Sequence, residues 1–68
     1  MAKITQEKVK GNLKFEIGQY EKHKKNDDRY AYGMCWGALT ALARLIDLRW
    51  DHHNETQEEF IDRLKALL

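Results

Sequence analysis

The middle of this chain is a run without any charged residue, YAYGMCWGALTALA at positions 30–43. The run is too short to cross a bilayer, which takes roughly 20 apolar residues. It is also longer than most strands, which hold about 4–8 residues. A strand is the alternative, because Tyr, Met, Cys and Trp all occur in strands, but the alanines and leucines that follow are the best helix formers. We therefore predict a helix over residues 27–50, around which the rest of the chain packs.

Wound at about 100° per residue, this predicted helix is apolar on nearly every side. Leu39 and Leu42 lie in a broad apolar face that also takes in Met34 and Leu45. Polar side chains form only a narrow strip, which includes Arg44. A helix of this kind has to be covered on several sides. Because two short helices can hardly cover it, we expect another molecule to complete the fold.

The first helix is predicted over residues 5–24, with Thr5 as its N-cap. Its apolar residues recur at spacings of four, four and three, which is one helical stripe: Val9, Leu13, Ile17 and Tyr20. The connector at residues 23–28 contains no Pro or Gly, and Asn26 is a residue that can adopt the left-handed turn conformation. A connector this short makes the first two helices antiparallel neighbours.

The third helix is predicted over residues 55–67, after a second connector at residues 50–55. Thr56 and Glu59 have the spacing of a capping box, in which each side chain bonds the backbone amide of the other. The buried stripe of this helix is expected to be Phe60, Ile61, Leu64, Leu67 and Leu68. The fold class that follows is an all-α, three-helix antiparallel bundle that forms a single domain over residues 1–68.

A domain of 68 residues is marginal in stability, and small domains usually add a disulfide, a metal or a partner subunit. One cysteine cannot form an internal disulfide, so self-association, most simply a homodimer, is the expected solution. Gly33, Gly37 and Ala41 are small residues spaced four apart. In membrane proteins this spacing indicates close contact between helices, and by analogy it indicates helix contact here. The alternative is that they are ordinary small residues under a bulky neighbour. The candidate self-association residues are Gly33, Trp36, Gly37, Leu39, Ala41 and Leu48.

The most unusual feature of the first helix is a phenylalanine between two glycines, opposite the apolar stripe and ringed by lysines. Four interpretations of Phe15 are open. The helix breaks at a glycine and turns Phe15 into the core, or Phe15 packs into a second subunit. Alternatively, it is the centre of a surface for an unidentified protein partner, or it is an ordinary exposed side chain. The candidate partner surface is Lys8, Gly11, Lys14, Phe15, Gly18 and Lys22.

Charge is unevenly distributed, although the net charge is only +1. Residues 1–25 hold seven Lys against three Glu, whereas residues 51–68 hold five acids against Arg63 and Lys65. This asymmetry indicates attraction between packed helices or subunits, or a basic surface for an acidic partner. Nucleic-acid binding through the lysines of the first helix is the alternative, but the composition is not basic overall and the predicted long second helix does not fit a helix-turn-helix.

No catalytic or metal-binding pattern stands out. Cys35 is expected on the core face, where a structural thiol is more common than a reactive one. His52 and His53 are adjacent and so point apart, which does not suit a zinc site; a site made from Asp51, His52 and a second copy is the alternative. We expect no metal, no cofactor and no enzymatic activity. Without a hydrophobic signal region or a membrane span, a cytoplasmic location is expected.

Taken together, these features predict a small cytoplasmic protein–protein interaction module that acts as an adaptor, inhibitor or regulator. In size and composition it is similar to small accessory proteins of phages and mobile elements. The alternative is a small nucleic-acid-binding regulator that uses the lysine-rich first helix.

Overall fold

Three helices make up the fold in the computed structural model, which describes residues 5–68. Helix α1 spans Gln6–Lys25, α2 spans Arg29–Arg44 and α3 spans Gln57–Leu67, and these residues contain no strand. The backbones of α1 and α2 pack most extensively against each other, and the two helices run antiparallel across a short turn. The prediction of a small all-α, three-helix bundle is confirmed.

Helix α1 follows the sequence pattern closely. The Thr5 hydroxyl accepts a hydrogen bond from the Lys8 amide at 3.2 Å, as expected of an N-cap. The four predicted stripe residues, Val9, Leu13, Ile17 and Tyr20, are all buried. The helix continues unbroken through both glycines, so the alternative that turns Phe15 into the core is wrong. Its side chain is 63% exposed.

Helices α1 and α2 end in the same way, with an aspartate in the left-handed conformation. Asp27 has φ 56° and Asp47 has φ 61°. The amide of the next residue bonds back across the turn in both cases, from Asp28 to the His23 carbonyl and from Leu48 to the Ala43 carbonyl, each at 2.9 Å. This is the Schellman arrangement, which satisfies carbonyls that the helix leaves free.

The first of these turns has its left-handed residue one position later than Asn26. Asn26 has φ −86° and is not left-handed, because α1 extends to Lys25 and the turn residue becomes Asp27. The next residue, Asp28, then caps α2, and its Oδ1 accepts the Ala31 amide at 3.1 Å.

Helix α2 is shorter than predicted, and the range 27–50 is wrong at its C-terminal end. The helix stops at Arg44 because Asp47 reverses the direction of the chain. Residues 45–56 then form a connector that packs Leu48 and Trp50 back against the core. This connector, not a second molecule, covers part of the apolar surface of α2.

The core is built from side chains of all three helices. Its buried members are Val9, Leu13, Ile17 and Tyr20 of α1, Leu39 and Ala43 of α2, and Phe60, Ile61 and Leu64 of α3. The Trp36 ring joins these parts, with ring centroids 5.8 Å from Tyr20, 5.8 Å from Phe60 and 5.0 Å from Trp50. The contacts to Phe60 and Trp50 are edge-to-face, a favoured aromatic geometry.

Hydrogen bonds hold the connector in this position. Trp50 Nε1 donates to the Glu55 carbonyl at 3.1 Å. The Glu55 carboxylate accepts the Asp51 amide at 2.9 Å and the Arg63 guanidinium at 2.8 Å, and Arg63 also donates to the Arg49 carbonyl at 2.7 Å. Because Arg63 belongs to α3, these bonds tie the connector to the third helix at Arg49 and at Glu55.

Helix α3 begins with the predicted capping box, since Thr56 and Glu59 each accept the other's amide at 3.1 and 2.9 Å. Leu67 was expected in the buried stripe but is 51% exposed, and Leu68 is only partly buried. The acidic α3 faces the basic α1 through the ion pair of Lys24 with Glu58. The attraction between packed helices that the charge distribution indicates is therefore present.

Replacing Asp47 with glycine should stabilise the protein. Glycine adopts the left-handed conformation without the steric cost that a Cβ imposes, so Asp47→Gly should raise the free energy of unfolding by about 0.5–1 kcal/mol. The matched control is Asp62→Gly in the middle of α3, which should lower it by about 0.3–0.5 kcal/mol because glycine is the poorer helix former. Urea denaturation measures both, and a loss of stability at position 47 would contradict the turn geometry.

Candidate interaction surfaces

The side of α2 that faces away from the core is apolar, and we call it the α2 outer face. It comprises Tyr30, Gly33, Met34, Gly37, Ala41 and Leu45, all of them exposed. Tyr30 is 80% exposed, Met34 61% and Leu45 59%. On the helical wheel these residues lie opposite Leu39 and Ala43, the two buried residues of α2.

Met34 and Leu45 share a broad apolar face with Leu39 and Leu42 in the sequence, but they do not join the core of this chain. The core side of α2 is narrower than the apolar face seen in the sequence, because α1, α3 and the connector together enclose only the side that contains Leu39, Ala43 and Trp36. The apolar residues beyond that side are left in solvent. The sequence signal for the outer face is the spacing Tyr30, Met34, Gly37, Ala41 and Leu45, which is itself a helical stripe.

The glycines of the outer face leave it open. A Cβ atom built on Gly33 or Gly37 would meet no atom within 4 Å. The small residues are therefore not accommodating a bulky neighbour within the described residues. They form a shallow depression in the surface between the large side chains of Tyr30, Met34 and Leu45.

The six candidate self-association residues fall into two groups. Gly33, Gly37 and Ala41 lie on the α2 outer face. Leu39 is fully buried within this chain and has no surface to offer a second copy. Trp36 and Leu48 are partly buried against the same core, because the early end of α2 lets the connector fold over them.

The six residues of the candidate partner surface lie together, and we call them the α1 outer face. Lys8, Gly11, Lys14, Phe15, Gly18 and Lys22 are all exposed on the side of α1 that faces away from Leu13. Phe15 stands between two glycines at which a Cβ would meet nothing within 4 Å. Open depressions of about 270 and 230 Å³ lie at Gly11 and Gly18, with Lys14 on the border of both.

Most cations of the described residues form no ion pair, and the lysines of this face are among them. Among residues 5–68, Lys8, Lys14 and Lys22 take part in no ion pair, whereas Lys24 pairs with Glu58 and Lys65 with Glu21 at 2.7 Å. No ion pair within the described residues therefore offsets the charge of the lysines around Phe15.

Cys35 is partly buried, and the Glu16 carboxylate of α1 faces its thiol. Burial raises the pKa of the Cys35 thiol, and the negative charge of Glu16 raises it further. A raised pKa leaves little thiolate at neutral pH, and thiolate is the reactive form. This setting fits the structural role expected for Cys35.

The polar groups around His52 and His53 in the connector bond to one another within a turn. The Asp51 carboxylate accepts the His53 amide at 3.2 Å and the Asn54 side-chain amide at 2.7 Å, and the bond from Asn54 lowers the pKa of Asp51. The His52 ring lies 5.8 Å from Trp50 and 4.0 Å from His53. Across the described part of the chain, no three His, Cys, Asp or Glu residues are placed to share a metal ion.

The sequence did not indicate a further feature, an open cleft of about 330 Å³ between α1 and α3. Three of its lining residues already bond within the fold, since Lys24 pairs with Glu58 and donates to the Tyr20 hydroxyl at 3.3 Å. That hydroxyl in turn donates to Gln57 at 2.8 Å. Because these polar groups are already engaged, the cleft is a weaker candidate than either outer face.

Removing the Phe15 ring should leave stability almost unchanged. The side chain is largely in solvent, so we expect Phe15→Ala to change the free energy of unfolding by less than about 0.5 kcal/mol. The matched control is Phe60→Ala, which empties a fully buried site and should cost about 3–5 kcal/mol. Urea denaturation of the two variants compares them directly, and similar losses would contradict the exposed position of Phe15.

The thiol of Cys35 should react slowly in the folded protein. Because its pKa is raised, alkylation by iodoacetamide at pH 8 should be slower in native protein than in urea-unfolded protein. Glu16→Gln should speed the native reaction by removing the nearby negative charge, whereas Asp62→Asn, an exposed residue of α3, should not. Equal rates in native and unfolded protein would show that neither burial nor Glu16 protects the thiol.

None of the described helices is long and apolar enough to be a membrane span. Comparisons with protein-family models, with curated proteins and with solved structures give no match to this chain.

Proposed function

We propose that this protein is a non-enzymatic, cytoplasmic protein–protein interaction module, an adaptor, inhibitor or regulator, that self-associates through the α2 outer face. The observation that carries the proposal is the exposure of Tyr30, Met34 and Leu45 on one side of one helix, at 80%, 61% and 59%. Single exposed apolar side chains are common on protein surfaces, but an aligned set marks an interaction site.

The energy available at this face is substantial. Burying one large apolar side chain completely is worth about 1.5–3 kcal/mol, and three such side chains are aligned here. The small residues between them let another helix approach closely, since the distance between packed helices depends on the side chains at the contact. The α2 outer face therefore combines apolar area with a shape that suits a helix.

A second copy of α2 fits this shape. Gly37 lies at the middle of the face, with Tyr30 towards one end and Leu45 towards the other. A two-fold axis at Gly37 would bring two antiparallel helices together at their lowest point and oppose their dipoles favourably. The same axis places the Arg44 guanidinium of one copy near the Tyr30 ring of the other, a favourable cation–π pair.

Charge placed on the α2 outer face should dissociate the assembly. We expect the wild-type protein to be dimeric at micromolar concentrations and Met34→Glu to raise the dissociation constant at least tenfold, since burying an unpaired carboxylate is costly. Leu67→Glu is the control, because Leu67 is a similarly exposed apolar residue on α3. Sedimentation velocity over a dilution series measures both. A wild-type protein that stays monomeric, or an equal effect of the two variants, would contradict the proposal.

Cross-linking tests the position of the two-fold axis. In a Cys35→Ser background, Gly37→Cys should form an intermolecular disulfide readily, because two cysteines at the axis come within the ~7 Å between Cα atoms that a disulfide requires. Tyr30→Cys should not cross-link with itself in the antiparallel arrangement. A parallel pair would instead cross-link at both positions.

The alternative function that we predict is nucleic-acid binding. The observation in its favour is the exposure of Lys8, Lys14 and Lys22 without ion-pair partners among the described residues. Binding of this kind should strengthen sharply at low salt. A duplex DNA probe included in the experiment below tests it under those conditions.

A further inference from the structure

We propose that the α1 outer face binds an acidic amphipathic helix of a partner protein. This surface is separate from the α2 outer face, so the proposal does not rest on self-association. It draws on three observations: an exposed aromatic side chain, an open depression at each neighbouring glycine, and lysines whose charge is not neutralised within the fold.

The spacing of the face suits a helix lying along it. Lys8, Gly11, Phe15, Gly18 and Lys22 follow one another at intervals of three, four, three and four, the spacing of a helix–helix seam. Phe15 stands out as a large side chain, and the glycines on either side of it form low points. The depressions at the glycines open on the flank of α1 towards Leu68, and Phe15 lines neither of them. A partner helix with apolar residues at intervals of three and four would place two of them in the depressions and contact Phe15 with its edge.

The depressions have apolar as well as charged walls. The one at Gly18 is lined in part by Ile17 and Leu68, and the one at Gly11 by Leu68 and Lys10. An apolar side chain that entered either depression would leave water for a partly apolar setting. Helices that bind in this way are recognised through anchors at intervals of three and four.

Charge determines which kind of helix the face accepts. Lys8, Lys14 and Lys22 surround Phe15 and have no ion-pair partner among residues 5–68. The carboxylates at the border of the depressions are Glu7 and Glu21, and Glu21 is already paired with Lys65. A helix with Glu or Asp beside its apolar anchors would gain charge complementarity along its length.

The same charges argue against other occupants. A second copy docked through this face would bring two rows of lysines together, which is unfavourable. A nucleic-acid backbone would use the lysines but not Phe15 or the depressions. A bilayer surface is favoured by several large apolar side chains on one face, whereas the α1 outer face presents Phe15 between two glycines.

Synthetic peptides provide the test. The probe is a fluorescent peptide of about 18 residues, or about five helical turns, with leucines at intervals of three and four and glutamates elsewhere. Its charge-reversed counterpart has lysines in place of the glutamates. Phosphatidylserine-containing vesicles and duplex DNA are the other two probes. We expect the acidic peptide to bind the full chain with a dissociation constant in the micromolar range, at least tenfold more tightly than the lysine peptide.

Two substitutions test the apolar contacts. Phe15→Ala removes the central side chain, and Gly18→Leu fills one depression at a position where a Cβ meets nothing. Each should weaken binding of the acidic peptide at least tenfold. Gly18→Leu is informative because leucine favours the helix, so that lost binding cannot be attributed to unfolding. The matched control is Leu67→Ala, an exposed apolar residue on α3, which should leave binding unchanged.

A charge substitution tests the electrostatic contribution. Lys22→Glu should weaken binding several-fold and reduce its dependence on salt, whereas Arg49→Glu, with the same change of charge on the connector, should have little effect. Equal binding by wild type and Phe15→Ala overturns the proposal, as does equal binding of the acidic and lysine peptides. Failure to bind the acidic peptide overturns it too, with DNA or vesicle binding then identifying the occupant as nucleic acid or membrane.

Discussion

The packing of the Trp36 ring is the interaction on which the rest of the fold depends. The ring belongs to α2, and it contacts Tyr20 of α1, Phe60 of α3 and Trp50 of the connector. The two other helices and the connector therefore all pack against this one side chain. A small domain has little core to share among its elements, and a central aromatic ring supplies more contact area than an aliphatic side chain would. Trp36 is better understood as the internal support of this bundle than as part of a subunit interface.

Trp36 can be covered from within the chain because α2 ends early. If the helix had continued to Trp50, that residue would have pointed away along the helix axis and the Trp36 ring would have lost one neighbour. The left-handed Asp47 instead turns the chain back, and the bond from Trp50 to the Glu55 carbonyl fixes the returning segment. Part of the apolar surface that appears excessive in the sequence is thus buried by twelve residues of connector, 45–56.

The sequence predicts the elements whose signal is local. The buried stripe of α1, the Thr56–Glu59 capping box and the exposed position of Gly11 and Gly18 all follow from spacing within one helix. The end of α2 does not, because left-handed turns usually carry glycine and Asp47 looks like an ordinary polar residue of a helix. The width of the enclosed side of α2 also does not follow from the pattern, because the apolar face in the sequence is broader than the side that the rest of the chain covers, and Met34 and Leu45 lie outside it.

The two outer faces lie on different helices, so a partner can contact one while the other is in use. A dimer formed through α2 would leave both α1 outer faces accessible and would hold them in one rigid particle. A partner that presents two acidic helices could then engage both, and its second contact would form at a high effective concentration. Even weak binding at a single α1 face would give tight overall association in that case. If both proposals hold, the lysines that form no ion pair among the described residues and the apolar α2 outer face would together make this protein a bivalent connector.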